Sequence, residues 1–201
     1  MSNFWDELIG SPENAAQYME SYNEGVGSDT RKTLQAFIND GESVLDVGCG
    51  PGWNYAHFQQ FGPQVSDYKG LDYSEYMIIG ALSKYSDVKF EVGDCRALTE
   101  ADGSWDVVLL QDVLEHTNGY EKPVKEALRV CKKRVIVTFW HLMEADEHIN
   151  DDGNDGWGAW YERGKWETFL DTLGYTWLHT ESAPEANRQH DFYFIDKEEP
   201  K

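Results

Sequence analysis

Ser43-Val44-Leu45-Asp46-Val47-Gly48-Cys49-Gly50-Pro51-Gly52 is the stretch that decides the fold. A short apolar run rich in valine and leucine enters a loop with glycines at i, i+2 and i+4. The run reads as a buried strand bounded by glycine. The glycines let the backbone turn sharply and approach a ligand closely. In open α/β sheets such ligands sit at the carboxyl ends of the strands, near the point where strand order reverses.

The flanking sequence repeats the strand-to-helix alternation. Residues 53–61 read as a helix, 67–71 as a second strand ending at Asp72, and Ser74 caps a helix carrying Met77, Ile78, Ala81 and Leu82. Residues 88–92 alternate as a third strand, and 105–110 are apolar enough for a fully buried central strand. Residues 120–131 read as a helix and 134–140 as a fifth strand. A helix over 165–173 ends at Gly174, and 175–179 and 191–195 form two aromatic-rich strands that pair at the sheet edge. Upstream, Ser11-Pro12 starts a helix with Ala15, Tyr18, Met19 and Tyr22 on one face. A second helix carries Leu34, Phe37 and Ile38. Short links predict a mostly parallel sheet with right-handed crossovers.

The chain has 201 residues, with 17 Lys+Arg against 37 Asp+Glu and a net charge of −20. A chain of this length buries about 70% of its extended surface, so one domain over 1–201 is expected. The charge excludes a duplex nucleic-acid partner and an anionic membrane surface, both of which require clustered cations. No run of 18 apolar residues exists, and the N-terminus lacks the pattern of a secretory signal. Cys49, Cys95 and Cys131 form no CxxC pair, so neither a disulfide framework nor a metal site is expected, and the cytoplasm is the expected compartment. Residues 141–160 stand apart. They are acidic and aromatic, with Trp157 and Trp160, and read as a lid inserted after the fifth strand.

Asp46 followed by Gly48-Cys49-Gly50-Pro51-Gly52 resembles the first motif of the class I S-adenosylmethionine-dependent methyltransferases. Asp72 closes the second strand, Gly93-Asp94-Cys95 the third, and the fourth leads into Gln111-Asp112-Val113-Leu114-Glu115-His116, similar to the small-molecule branch of that family. The resemblance spans about residues 44–195. It implies a Rossmann-like, seven-stranded, mostly parallel sheet flanked by helices, with an antiparallel strand near the C-terminus. It implies S-adenosylmethionine as cofactor, S-adenosylhomocysteine as product, and methyl transfer to a small molecule or a basic protein segment. Gly48, Gly50 and Gly52 would then line the methionine tail, with the Cys49 backbone between them. Asp46 would orient the amino group, directly or through water. Asp72 would bind the ribose hydroxyls, Tyr73 would pack on the adenine, and Asp94 and the Cys95 backbone would meet the adenine edge. Gln111 would sit beside the sulfonium. The helices of residues 1–40 would cover the site, with Tyr18 or Tyr22 over the tail carboxylate.

Two other functions are weighed. A nicotinamide oxidoreductase needs GxGxxG, and position 53 is Trp. The acids Asp46 and Asp112 also suit a sulfonium better than a pyrophosphate. A catalytically silent S-adenosylmethionine sensor would keep the same motifs. Methyl transfer from a sulfonium needs positioning and exclusion of water more than a base, so His116 and His141 are the only catalytic candidates. His57, His148, His179 and His190 show no partner spacing and read as surface or packing residues. The aromatic, acidic lid favours a neutral or cationic acceptor.

Overall fold

A computed structural model describes residues 4–15, 17, 28–140, 142–148, 158–181 and 190–200. Its elements, in chain order, are α1 (Phe4–Ile9), α2 (Ser28–Gln35), β1 (Ser43–Val47), α3 (Trp53–Gln60), β2 (Asp67–Asp72), α4 (Glu75–Lys84) and β3 (Lys89–Val92). There follow β4 (Trp105–Gln111), a 3-10 turn (Leu114–His116), α5 (Glu121–Val130), β5 (Cys131–Phe139), α6 (Arg163–Thr172), β6 (Tyr175–Glu181) and β7 (Asp191–Pro200).

The seven strands lie in the order β3-β2-β1-β4-β5-β7-β6. The first five are parallel, and β7 runs antiparallel to both β5 and β6. The order reverses between β1 and β4, so the ligand crevice of such a sheet opens at the carboxyl ends of those two strands. Because Phe139 pairs with Asp191, the start of β7 lies on that same rim.

Alternation along each strand divides the core into two layers. Leu45, Val47, Val108, Leu110, Val135, Val137 and Ile195 pack with α5 and α6 through Val124, Leu128 and Trp166. On the opposite face Val44, Val107, Leu109, Ile136 and Phe194 pack with Leu34, Phe58 and Ile78 of α2, α3 and α4. Burial of both faces explains why the central strands are continuously apolar.

The sequence places the fifth strand at 134–140, whereas β5 begins at Cys131, directly after α5. In that reading Lys132 and Lys133 fall between helix and strand, and Arg134 opens the strand. These cations instead ride the amino end of the strand, where Lys133 reaches Glu42 and Asp106 and Arg134 pairs with Asp196. Ser11 caps the upstream helical turn by accepting from the Asn14 N–H, while Tyr18 and Tyr22 lie outside the described residues. Within the lid stretch, residues 142–148 and 158–162 pair through bridges at Met143–Glu162 and His148–Trp160. That stem is therefore structured rather than an irregular loop. No helix among the described residues is long and apolar enough to cross a membrane.

Candidate functional site

The turn after β1 is built on three glycines in left-handed backbone, with φ of +76° at Gly48, +54° at Gly50 and +92° at Gly52. A side chain at Gly48 would overlap Val113 of the loop after β4, so glycine is required there for packing as well as for conformation. The N–H groups of Gly48 and Cys49 both donate to the Leu71 carbonyl, at 2.7 and 2.9 Å, and stitch the loop to the end of β2. The Cys49 side chain enters the core beside Phe90 and Gly70, leaving only its backbone at the loop. Burial pushes its thiol well above the ordinary range, so it is no nucleophile.

Asp72 ends β2 opposite this loop. Its carboxylate accepts from the Gly50 N–H at 2.8 Å and from the Ser74 N–H at 2.8 Å. Burial raises its pKa to about 6 against those hydrogen bonds, aided by the nearby charges of Asp46 and Asp6. Asp6 comes from α1, where it accepts from the Ser74 hydroxyl at 2.5 Å and the Tyr76 N–H at 3.3 Å. The sequence gives no sign of that contact, because it joins residues 68 positions apart.

Asp46 is the last residue but one of β1, with only Val47 between it and the glycine loop. It is fully buried, and its two oxygens accept from the Tyr68 hydroxyl at 2.6 Å and Asn54 Nδ2 at 3.1 Å. Burial raises it too to about 6. Its hydrogen bonds join the end of β1 to Tyr68 of β2 and to Asn54 at the start of α3. A buried cation stands nearby: the Arg31 guanidinium of α2 lies 5.5 Å from the Trp53 ring centre, and its charge lowers both Asp46 and Asp112. Arg31 belongs to no motif. Only burial, rare for arginine, marks it.

At the end of β3, both Asp94 oxygens accept from Arg96, whose guanidinium also lies 5.8 Å from the half-exposed Tyr73 ring. Asp94 is thus already engaged in an ion pair. Cys95 is partly buried beside it. At the end of β4, Gln111 holds a buried Oε1 with no hydrogen-bond partner. Such an orphaned acceptor points to a missing polar ligand. Left-handed glycines, orphaned acceptors at Gln111 and Asn54, an acid at β2 and a buried arginine are a donor and acceptor set that fits a zwitterionic nucleoside.

His116 lies in the 3-10 turn with the edge of Trp5 at 4.8 Å and Trp140 at 6.1 Å between ring centres. Burial drives its pKa to about 4, so it is neutral at neutral pH and does not act as a cation at a helix end. Glu115 beside it is fully buried, accepts from the Trp140 N–H at 2.8 Å, and has its carboxyl pushed well above the ordinary range chiefly by burial, then by the charge of Asp112. His141 lies outside the described residues. Three histidines read as ordinary have specific partners. His57 bonds Gln35 at 2.8 Å, His179 bonds Asp191 at 2.7 Å, and His190 faces Asp112 at 3.6 Å. The partners lie 12 to 78 residues away, beyond any motif's reach.

Comparison with known proteins agrees with this geometry. The protein-family description "Methyltransferase domain" matches residues 45–139. The chain is 33% identical over 133 residues to the malonyl-[acyl-carrier protein] O-methyltransferase of Erwinia billingiae, covering 64% of this chain and 52% of that protein. It is 34% identical over 123 residues to norajmaline N-methyltransferase of Rauvolfia serpentina, covering 55% and 41%. The chain therefore spans about half the length of these curated relatives. In fold it is similar to Haemonchus contortus phosphoethanolamine N-methyltransferase 2 solved with phosphomonomethylethanolamine and S-adenosylhomocysteine. The TM-score is 0.73 at 15% identity, over 98% of this chain and 59% of that one. Residues 45–139 thus match a methyltransferase domain, and the fold around them is one shared with solved S-adenosylmethionine-dependent methyltransferases.

Proposed function

We propose that this protein binds S-adenosylmethionine across the carboxyl ends of β1, β2 and β4 and transfers its methyl group to a small-molecule acceptor. The observation that carries the reading is the pairing of the left-handed glycine loop with Asp72, joined by the Gly50 N–H bond. When bound, the cofactor supplies an electrophilic methyl on a sulfonium. The chain's residues hold and shield it. Gly48, Gly50 and Gly52 admit the methionine tail, and Arg31 is the candidate for its carboxylate, a role expected of Tyr18 or Tyr22 from sequence. Asp72 retains a free lone pair on each oxygen for the ribose hydroxyls. Tyr73 offers a half-exposed ring to the adenine, with Asp94 and the Cys95 backbone at its edge. Gln111 Oε1 supplies an acceptor toward the methionine. The α1 helix, tied to α4 through Asp6, covers the nucleoside side of the site. Proximity and exclusion of water account for most of the rate, so no strong base is required.

The names of relatives at 30% identity or more support small acceptors, among them the malonyl group of malonyl-[acyl-carrier protein] and norajmaline. The acid excess supports a neutral or cationic acceptor over a phosphorylated one. The test is release of S-adenosylhomocysteine from S-adenosylmethionine in the presence of fractionated metabolite pools. Release that depends on the pool, and that falls at least about 100-fold in Asp72→Ala, is expected. Binding of cofactor with no turnover in any pool would assign the protein to the sensors instead.

A further inference from the structure

The rim of β4 and β5 carries a second polar arrangement beyond the cofactor residues. Asp112 has left-handed backbone, with φ of +54°. A non-glycine residue keeps such a conformation only where its neighbours over-determine it. Thr138 of β5 does so. Its hydroxyl accepts from the Asp112 N–H at 3.1 Å and donates to Asp112 Oδ1 at 2.6 Å. The other oxygen, Oδ2, is left toward His190, whose Nε2 stands 3.6 Å away while its Nδ1 lies 3.3 Å from the Thr30 hydroxyl. His190 immediately precedes β7, and the antiparallel pairing of β7 with β5 delivers it to the cofactor rim. Both side chains remain partly accessible, at 30% for Asp112 and 18% for His190.

The other charged or titratable groups coupled to Asp112 are Arg31 from α2, whose charge lowers it, and Glu115 and His116 from the 3-10 turn, on which the Asp112 charge acts; Asp191 on β7 acts on Glu115. His116 is neutral at neutral pH, and burial pushes the Glu115 carboxyl well above the ordinary range. Although burial acts to raise it, Asp112 is held below the ordinary carboxylate range by His190, Thr138 and Arg31. Trp5 and Trp140 flank His116 on the adjoining side. The rim thus combines an anionic oxygen with aromatic faces, a combination that selects nitrogen cations and N–H donors.

We propose that Asp112 contacts the methyl acceptor, that the acceptor is an amine bearing at least one N–H, and that His190 is a positioning residue acting through Asp112. This rests on the methyl-transfer reading above. The amine N–H donates to Asp112 Oδ2. Its nitrogen lone pair forms the bond to the methyl carbon, and the carbon–sulfur bond breaks with its pair going to sulfur. The N–H proton leaves the new ammonium for the Asp112–His190 pair and passes to solvent. An alcohol acceptor would need a stronger base than a carboxylate of lowered pKa.

The test uses methyl-labelled S-adenosylmethionine with tyramine, tryptamine and spermidine, each beside its alcohol and carboxylic acid counterpart. Label on the nitrogen of at least one amine is expected. Label confined to oxygen or carbon, or absent from every amine, overturns the proposal. Titration of the same protein with S-adenosylhomocysteine separates this failure from failure of the cofactor reading, which would abolish that binding. A readout independent of turnover is the His190 imidazole pKa, measured by NMR in the cofactor-free protein. Asp112→Asn is expected to lower it by about one unit, to leave S-adenosylhomocysteine affinity within about threefold, and to lower kcat/KM about 100-fold. His190→Gln is expected to shift the acid limb of the kcat/KM profile with cofactor affinity kept. An unmoved His190 pKa in Asp112→Asn, or His190→Gln losing thermal stability with its pH profile unchanged, overturns the pairing.

Discussion

Asp46 and Asp72 share one electrostatic problem. Burial raises both to about 6, so at neutral pH two anions are held together with little water. The sign follows from linkage. A carboxyl whose folded pKa exceeds its unfolded value stabilises the fold at low pH, and that contribution is lost as pH rises through about 6. A ligand bringing an ammonium and two hydroxyl donors relieves the cost. The stabilisation conferred by S-adenosylhomocysteine in thermal melts is therefore expected to grow between pH 5 and pH 7, and the growth should shrink in Asp72→Asn. A shift independent of pH would mean that Asp72 does not receive the ribose. The glycine loop is equally specific. Gly48→Ala would place a methyl group into Val113 at a positive φ, and loss of cofactor binding is expected with a stability cost of about 1–3 kcal/mol. The glycines and Asp72 were legible in the sequence because strand, turn and ligand are consecutive there. Arg31, Asp6 and His190 were not, because each reaches the rim from an element whose arrival depends on tertiary packing.

Elements were legible wherever the apolar period was unbroken, as in β1 and β4, and illegible where charge interrupted it. Lys132 and Lys133 fell between the expected helix and strand, whereas they belong to β5, whose amino end is held by ion pairs of Lys133 with Glu42 and Asp106 and of Arg134 with Asp196. The stretch after β5 stood out by composition. The chain directly beyond it is fixed by Tyr161, which is fully buried among Tyr120, Phe139 and Trp166. The Tyr161 hydroxyl donates to the Thr117 carbonyl at 2.6 Å and accepts from the Gly119 N–H at 3.0 Å, and the Ala159 N–H donates to the Glu115 carbonyl at 3.1 Å. The stem is thereby tied to the loop that carries His116. Tyr161→Phe leaves a buried carbonyl and a part-buried N–H unpaired, so a loss of about 1–3 kcal/mol in urea unfolding is expected. A loss under about 0.5 kcal/mol would show that water replaces the hydroxyl.

Across the whole molecule, the strand order β3-β2-β1-β4-β5-β7-β6 does two things for function. It opens the crevice between β1 and β4, and by reversing β7 it returns a late segment of the chain to the cofactor rim. The parallel half followed from helix–strand alternation. The pairing of the last two strands with each other was legible, but the insertion of β7 between β5 and β6 was not, since hairpin order alone leaves either strand as the inner one. The net charge of −20 belongs to this scale too. Described cations such as Lys69, between Glu91 and Glu100, and Lys133, between Glu42 and Asp106, are already engaged, so the excess acid repels itself. Raising ionic strength from about 0.02 M to about 0.5 M shortens the Debye length several-fold and is expected to raise Tm by several degrees. A fall in Tm would mean that surface ion pairs outweigh the repulsion.

The central claim is that the glycine loop and Asp72 together hold S-adenosylmethionine. Isothermal titration calorimetry with S-adenosylhomocysteine at pH 7.5, on the unmodified protein and on Asp72→Ala, tests it most directly, with NAD as the competing ligand. Saturable one-to-one binding, weakened at least about tenfold in Asp72→Ala and absent for NAD, is the predicted result. No heat with S-adenosylhomocysteine, or binding to NAD that depends on Asp72, would contradict it.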